Sequence, residues 1–203
     1  MSKEKCSTIV LSGGVGGAKL VIGLTKIIDA NGMTVIANTG DDFNHLGLRV
    51  CPDIDTLVYT LAGLNNPETG WGRTEETASF MKTLDELGEE TWFFLGDKDV
   101  AMHVMRTRRL VNGETLTAIT GDICQRLGLK SRILPMTDNF VPTVVDTNNG
   151  FLGFQDYFVR QRCVPRVRGF SFDEAKQAKL SPQLCEAIND KHLSAIIIAP
   201  SNP

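Results

Sequence analysis

Short apolar runs separated by glycine-rich or polar loops organise the first part of this sequence. A β-branched run covers residues 7–12, a periodic apolar pattern follows over about 18–30, and a continuous apolar run covers 33–37. Asn31-Gly32 is a typical end for the helix that the periodic pattern predicts. A short, continuous apolar run is typical of a strand buried in a parallel sheet. This segment therefore predicts a right-handed βαβ unit.

The same patterns predict the elements that follow. Helices are expected at 52–64, at 75–87, over a segment that carries Asp99, His103 and Arg106, in two patches before Gly128, and at 173–178 and 182–189. Strands are expected at 92–95, 132–135 and 195–199, with a hairpin of 143–146 and 151–154, whereas residues 38–45 are expected to form a polar loop. The fold class is therefore α/β: a mostly parallel sheet flanked by helices, with a helical and hairpin insertion at about 65–190.

We expect residues 1–203 to form a single domain whose sheet continues beyond residue 203. An apolar strand at 195–199 followed by Pro200-Ser201-Asn202-Pro203 is how a βα unit begins.

Composition narrows the class of protein. The chain has 203 residues, 42% hydrophobic and 22% charged, which is near average for a globular protein. A net charge of −3 argues against general nucleic-acid binding. No apolar run is long enough for a membrane span, and no signal peptide is evident. Five dispersed cysteines without a Cys-x-x-Cys pair indicate reduced thiols, so we expect a cytoplasmic protein that binds neither nucleic acid nor membrane.

The first candidate site is the loop after the first strand, where four glycines occupy five positions: Gly13, Gly14, Gly16 and Gly17 surround Val15. Glycines let an anion approach the backbone, and the amides that begin the next helix point at it with the helix dipole behind them. Lys19 adds a positive charge. The segment fits neither a Walker A loop nor a dinucleotide fingerprint. A tight βα turn is the alternative, but it would need fewer glycines and no lysine, so we favour phosphate binding.

Carboxylates at the same edge of the sheet form the second candidate site. Asp41 and Asp42 follow the second strand, and carboxylates facing a phosphate loop suit Mg²⁺; a solvated turn is the alternative. Asp53 is suited to capping the next helix, and Asp55 lies in its first turn, where it would favour the helix dipole or hydrogen-bond a polyol or ring nitrogen.

Three further polar groups lie after later strands. Asp99 and His103 share one helix face. They could form a metal site, an acid–base pair or a surface contact. The segments 137–139 and 201–202 could bind a base or ribose or form ordinary turns. The arginines between 160 and 168 form either an anion patch or a solvated face. The chemistry indicated is metal-assisted phosphoryl transfer, in which the protein positions groups and neutralises charge.

Seven motifs occur in a fixed order along the chain. They are Leu11-Ser12-Gly13-Gly14-Val15-Gly16-Gly17-Ala18-Lys19, Asn38-Thr39-x-Asp41-Asp42, Cys51-Pro52-Asp53-Ile54-Asp55-Thr56, Leu95-Gly96-Asp97-Lys98-Asp99 with His103, Ile133-Leu134-Pro135-Met136-Thr137-Asp138, Phe154-Gln155-Asp156-Tyr157-Phe158 and Pro200-Ser201-Asn202-Pro203. Together these motifs resemble the 2-phospho-L-lactate transferase family of deazaflavin coenzyme biosynthesis.

The resemblance implies a Rossmann-like fold and a Mg²⁺-assisted transfer. A phospholactate or phosphoenolpyruvate-type unit would move from a guanosine-diphosphate-linked donor to the ribityl hydroxyl of the deazaflavin Fo, releasing GMP. The implied residues fall into three groups. The donor would contact Gly13, Gly14, Val15, Gly16, Gly17, Lys19, Asn38, Thr39, Ser201 and Asn202; Fo would contact Asp53, Asp55 and Asp99; the catalytic residues would be Asp41, Asp42, Asp97 and His103, with Asp41 and Asp42 holding the metal.

The sequence departs from the family pattern in two respects. Phe94 stands where some relatives carry a basic residue that holds Fo, and the chain is shorter than members of the family. A homodimer is expected. A nucleotide-binding regulator on the same scaffold is the alternative function, whereas the missing Gly-Lys-Ser/Thr disfavours a P-loop kinase. No residue distinguishes phospholactate from phosphoenolpyruvate or glycerate variants.

Overall fold

The computed structural model describes residues 6–200, in which one βαβ unit is followed by a short hairpin, a run of four helices, a run of four strands, a last helix and a last strand. The strands are β1 (Ser7–Ser12), β2 (Met33–Ala37), β3 (Phe43–His45), β4 (Leu48–Val50), β5 (Arg132–Pro135), β6 (Val144–Thr147), β7 (Gly150–Gly153), β8 (Val167–Ser171) and β9 (Leu193–Ile198). The helices are α1 (Val15–Leu24), α2 (Pro52–Leu61), α3 (Ser79–Glu86), α4 (Asp97–Val111), α5 (Leu116–Arg126) and α6 (Pro182–Ile188).

A parallel sheet with the strand order β5-β2-β1-β9 forms the centre of the molecule. β1 pairs with β2 from Thr8↔Met33 to Ser12↔Ala37, and it pairs with β9 along its other side. The chain thus runs from β1 to β2 on one side and returns much later to β9 on the other. This arrangement confirms the predicted α/β class and puts a change of winding direction between β1 and β9.

Helices cover both faces of this sheet. On one face the register row Val10, Val35 and Ile133 packs with the buried faces of α1, α2 and α5 in the largest core cluster. On the other face, Ile9, Ile36 and Leu134 pack against Leu184 and Ala187 of α6. Since both faces are buried at these positions, the strands are continuously apolar, as expected for a parallel sheet.

Two small antiparallel sheets lie outside the central one. β3 pairs with β4, and β6 pairs with both β7 and β8. β5 falls within the range 65–190 that the sequence predicts as an insertion, yet it pairs with β2 in the central sheet. The elements outside the central sheet therefore form separate groups before and after β5. The extent of the domain stays a prediction.

Several predicted boundaries are wrong. Residues 92–95 form no strand; this segment instead packs its aromatic rings against the β3–β4 hairpin, with the Phe93 and Phe43 ring centroids 4.8 Å apart. That hairpin lies partly in the predicted polar loop, and its turn places Leu46 and Gly47 at φ 52° and 73°. A leucine is an unusual residue for a turn of positive φ, so the sequence carries no hairpin signal there. β8 was likewise not predicted in the basic stretch.

Candidate functional site

The candidate site lies at the carboxyl edge of the central sheet, where the chain leaves β1, β2 and β9. In open α/β sheets ligands bind at this edge, beside the point where the winding direction changes. Gly16 stands directly opposite the loop after β9: a Cβ built on Gly16 would lie 3.1 Å from the carbonyl oxygen of Pro200. The glycine loop and the segment after β9 therefore meet at the crevice expected where the winding direction changes. Ser201 and Asn202, predicted to bind the guanosine part, lie outside the described residues.

The glycines of the loop permit three close approaches. α1 begins at Val15, three residues earlier than predicted, so Gly16 and Gly17 belong to its first turn. A Cβ on Gly17 would overlap Ser12 Oγ, and one on Gly14 would lie 2.9 Å from Asp53 Oδ1. Glycine is thus needed for packing on β1, α2 and the β9 loop as well as for any ligand.

The N-terminus of α1 has amides available for an anion. Among the described residues no side chain caps it, and the first intrahelical bond runs from the Ala18 amide to the Gly14 carbonyl. The amides of Val15, Gly16 and Gly17 therefore precede the helical ladder. Lys19 is exposed one turn after Val15. Uncompensated amides, the helix dipole and a nearby lysine together make an anion-binding site.

Two carboxylates meet beside this loop through a shared asparagine. The Asn38 side-chain amide donates to Asp53 Oδ2 at 2.8 Å and to Asp41 Oδ1 at 3.2 Å. Its Oδ1 accepts from the Gly40 amide at 2.9 Å, which fixes the orientation of the side chain. Asp41 follows β2 and Asp53 lies in the first turn of α2, so tertiary structure rather than sequence adjacency creates this pair.

The pair is electrostatically suited to a cation. Burial and, to a smaller extent, the neighbouring Asp41 charge raise the pKa of Asp53 to about 7, although the hydrogen bond from Asn38 opposes the shift. Burial also raises the pKa of Asp41. Carboxylate oxygens at a phosphate-binding loop suit Mg²⁺, which uses one or two carboxylates with substrate phosphates. Within residues 6–200 no group of three or more His, Cys, Asp or Glu is placed to hold a metal by itself.

Asp42 lies apart from this pair. It is buried, forms a side-chain hydrogen bond with Cys51 and faces Arg106, Asp55 and Arg49. Burial raises its pKa to about 7, although the hydrogen bond and the Arg106 charge oppose the shift. The structure therefore brings Asp41 beside Asp53 rather than beside Asp42. The metal pair Asp41 and Asp42 stays a prediction, and Asp41 with Asp53 is a second candidate pair. Thr39, expected to contact the donor, is fully buried.

Asp55 is held by a fully buried arginine that sequence analysis did not place in the site. Arg106 of α4 donates from both terminal nitrogens to the two Asp55 oxygens, and its Nη1 lies 3.2 Å from His103 Nδ1. Burial alone would lower the pKa of Arg106, but Asp55 outweighs it and raises the pKa. Burial lowers the pKa of His103 to about 4, so the ring is neutral near pH 7. The sequence signal that could have identified Arg106 as part of the site is its i, i+3 spacing from His103.

Asp97 and Glu76 exchange helix caps between α3 and α4. Asp97, at the start of α4, accepts from the Phe80 amide in α3, while Glu76, before α3, accepts from the Lys98 and Asp99 amides. Both helix N-termini are thus occupied by side chains of the chain itself. Hydrogen bonds hold the pKa of Asp97 below its usual range, chiefly the one from Thr77. This geometry gives Asp97 a structural role in joining the two helices.

Asp99 lies on the opposite side of the α4 N-terminus, against α2. It forms a side-chain hydrogen bond with Tyr59, and burial raises its pKa to about 6 despite that bond. Its Oδ1 is buried and has no hydrogen-bond partner among the described residues. Asp99 therefore keeps acceptor capacity for a ligand.

Some of the remaining polar candidates have structural partners. Asp138 accepts from the Thr117 amide at the start of α5 at 2.7 Å, and the Thr137 hydroxyl donates to the Lys179 carbonyl. Arg160 pairs with Glu90. Among residues 6–200, no helix is both long and apolar enough to cross a membrane.

Comparisons with solved structures support the fold. Two crystal structures of a UPF0052 family protein from Bacillus halodurans match 96% of this chain and 59% of theirs, with TM-scores of 0.60 and 0.62 at 14% identity. At that identity the likeness concerns the fold alone.

Sequence comparisons identify proteins with a higher identity to this chain. The chain is 42% identical over 200 residues to the phosphoenolpyruvate transferase of Streptomyces griseus, and 35% identical over 195 residues to the 2-phospho-L-lactate transferase of Methanosarcina mazei. Each alignment covers 96% of this chain, but only 62% and 64% of the respective relative. The chain thus spans less than two thirds of the length of these relatives.

The family model described as 2-phospho-L-lactate transferase CofD matches residues 8–203. That range begins within β1 and includes the glycine loop, the Asn38–Asp41–Asp53 cluster and the Asp55–Arg106 pair. The chain therefore belongs to the 2-phospho-L-lactate transferase CofD family.

Proposed function

We propose that this chain forms the donor and acceptor sites of a phospho-acid transferase of deazaflavin coenzyme biosynthesis. The terminal ribityl oxygen of Fo attacks the phosphorus of the phospho-acid unit, and the bond from that phosphorus to the GMP oxygen breaks. GMP leaves, and the hydroxyl proton passes to a carboxylate at this edge. The observation that carries the proposal is the uncapped, glycine-rich start of α1 beside the Asn38–Asp41–Asp53 cluster.

The glycine loop is suited to the donor diphosphate. The free amides of the first turn of α1 and the exposed ammonium of Lys19 can neutralise its charge. Gly16 lets the segment after β9 approach the glycine loop closely, so one nucleotide can contact both loops at the carboxyl ends of β1 and β9.

Asp41 and Asp53 are the residues that would hold Mg²⁺. When bound, Mg²⁺ stabilises the negative charge that develops on the transferred phosphoryl group and on the leaving GMP. Asn38 holds one oxygen of each carboxylate in place, which lowers the reorganisation required during the reaction. Asp42 is unsuited to the metal because it is buried against Cys51 and Arg106.

The acceptor would lie on the side of Asp99, whose Oδ1 is free to accept from a hydroxyl. Of the other two predicted acceptor ligands, Asp55 is already bound on both oxygens by Arg106, and Asp53 is assigned to the metal in this proposal. The identity of the three-carbon acid stays open, since relatives are named for phosphoenolpyruvate and for 2-phospho-L-lactate. The homodimer stays a prediction.

The test is GMP release from guanylylated phospholactate or phosphoenolpyruvate in the presence of Fo and Mg²⁺. We expect release that depends on Fo and that stops when EDTA removes the metal. Lys19→Ala should weaken binding of the donor much more than binding of Fo, because only the donor carries the diphosphate. Lys26→Ala, on the exposed segment just after α1, is the matched control.

Tight guanosine nucleotide binding without any affinity for Fo would favour a regulator over a transferase. An equal loss of donor and Fo binding in Lys19→Ala would contradict the division of the site.

A further inference from the structure

We infer that Arg73 and Asp99 form a hydroxyl-binding subsite that holds the ribityl chain of the acceptor, with Arg73 as a specificity-determining residue. The inference rests on the proposed function and adds to it a residue outside the seven sequence motifs. Arg73 belongs to the segment 65–74 between α2 and α3, which we call the strap.

The strap is tied to itself and crosses over the site. Asn65 bridges Arg73, the Asn66 amide donates to the Gly72 carbonyl at 3.1 Å, and the Thr74 amide donates to the Leu64 carbonyl at 2.8 Å. Both ends of the strap are therefore fixed to the end of α2. These hydrogen bonds fix the backbone of the strap, so the side chain of Arg73 begins from a defined position.

Two glycines of positive φ bring the strap close to the glycine loop and to Asp99 of the candidate site. A Cβ on Gly70 would lie 2.9 Å from Val15 Cγ1 in the glycine loop, and one on Gly72 would lie 3.9 Å from Asp99 Oδ2. Their φ angles of 77° and 69° are in the region that favours glycine. The strap thus covers the crevice from the donor loop to Asp99.

Arg73 extends from this strap over the Tyr59 ring and lies near enough to Asp99 to interact with its charge. Its guanidinium carbon lies 5.5 Å from the centroid of the Tyr59 ring, which orients the side chain through a cation–π contact. Its Nε is buried and lacks a hydrogen-bond partner within residues 6–200. Burial raises the pKa of Asp99 and the Arg73 charge opposes that rise, but the described side chains of the two residues form no ion pair within 4 Å.

Neighbouring charges are already engaged. Lys98 Nζ donates to the Thr74 carbonyl at 3.3 Å, and Glu76 caps α4. Arg73 Nε therefore offers a free donor and Asp99 Oδ1 a free acceptor, both of them buried. A buried polar atom without a partner costs free energy, so a ligand that satisfies both is favoured.

The chemistry of this pair selects a neutral polyol. A hydroxyl can accept from Arg73 and donate to Asp99 at the same time, and neighbouring hydroxyls can repeat the pattern. A phosphate or carboxylate would satisfy Arg73 but would be repelled by Asp99. The ribityl chain is the polyol of the proposed acceptor, whereas the donor diphosphate has its own site on α1.

The experiment compares two ligands by fluorescence titration: Fo, and the same deazaflavin ring with a methyl group in place of the ribityl chain. Arg73→Gln should weaken Fo binding about 10- to 100-fold, the effect of removing a hydrogen bond from a charged group. It should leave binding of the methyl analogue and of GDP nearly unchanged. Asp99→Asn should show the same selectivity, and Arg73→Lys should recover only part of the affinity for Fo because it lacks Nε.

Arg168→Gln, an exposed arginine on β8, is the matched control and should bind all three ligands as the wild type does. Equal weakening of Fo and of the methyl analogue by Arg73→Gln would overturn the subsite, as would no effect on either. Failure of the wild-type chain to bind Fo would instead overturn the proposed function. Thermal unfolding of each variant identifies any general loss of structure.

Discussion

Arg106 is the residue that connects the two helices behind the site. Its side chain is completely buried, and it makes a bidentate pair with Asp55 of α2 while its Nη1 also donates to the Arg49 carbonyl. Burying a charged pair has a large desolvation cost, and the attraction between the two charges offsets this cost only while both partners are present. Asp55 therefore has a structural partner that its position in the first turn of α2 did not reveal.

Arg106→Met should destabilise the protein by about 3–5 kcal/mol, because it leaves the Asp55 carboxylate buried without a partner. The measurement is urea unfolding at neutral pH. Adding Asp55→Asn to Arg106→Met should recover part of the loss. Arg126→Met, which breaks an exposed i, i+4 pair with Asp122, should cost no more than about 1 kcal/mol. Similar costs for the two arginine variants would contradict the importance of the buried pair.

His103 makes stability depend on pH. Burial lowers its pKa from 6.5 to about 4; Asp55 opposes the shift, while Arg106 and His45 reinforce it. The unfolded chain thus binds a proton between pH 6.5 and 4 that the folded chain does not, so this group favours folding at higher pH and disfavours it as pH falls.

The wild type should lose free energy of unfolding of the order of 3 kcal/mol as the pH falls across that interval, and His103→Gln should abolish this loss. Urea unfolding of the variant and the wild type at pH 4.5, 5.5 and 7 measures the difference. The surface variant His192→Gln should keep the wild-type dependence, and a His103→Gln profile parallel to the wild type would refute the assignment.

At the scale of elements, α1 shows why glycines recur in the loop. Gly17 lies in the first turn and faces Ser12 on β1, whereas Gly23, in the last turn of the same helix, has no atom within 4 Å of its Cβ position. The two glycines are both helical, so their backbone entropy is comparable. Only the close approach to β1 distinguishes them.

Gly17→Ala should destabilise by about 1–3 kcal/mol, since the new methyl group overlaps Ser12 Oγ and forces α1 away from β1. Gly23→Ala should stabilise by about 0.5–1 kcal/mol, because alanine is the better helix former. Thermal unfolding and GDP binding are the two measurements, and adding Ser12→Gly to Gly17→Ala should restore part of the stability. Stabilisation by both alanines would show that helix propensity outweighs packing here.

At the scale of the whole molecule, the site depends on segments far apart in sequence. The glycine loop, the Asn38 cluster and the carbonyl of Pro200 meet because β1, β2 and β9 are neighbours in one parallel sheet. Parallel strands direct their carboxyl ends to the same edge, so loops that follow them converge whatever their separation along the chain. The strap reaches the same crevice from the end of α2, although its sequence carries no motif that predicts this.

The sequence by itself determined the α/β class, β1 and β2 to the residue, the glycine loop and the family resemblance. These features rest on local patterns, such as apolar runs of strand length and glycines before a helix, which do not depend on distant parts of the chain. Only the tertiary structure decided that Asp41 faces Asp53 while Asp42 faces Cys51 and Arg106. Adjacent residues diverge when the backbone turns between them, and their partners come from α2 and α4. Burial and pairing of that kind arise from packing, which local sequence patterns do not specify.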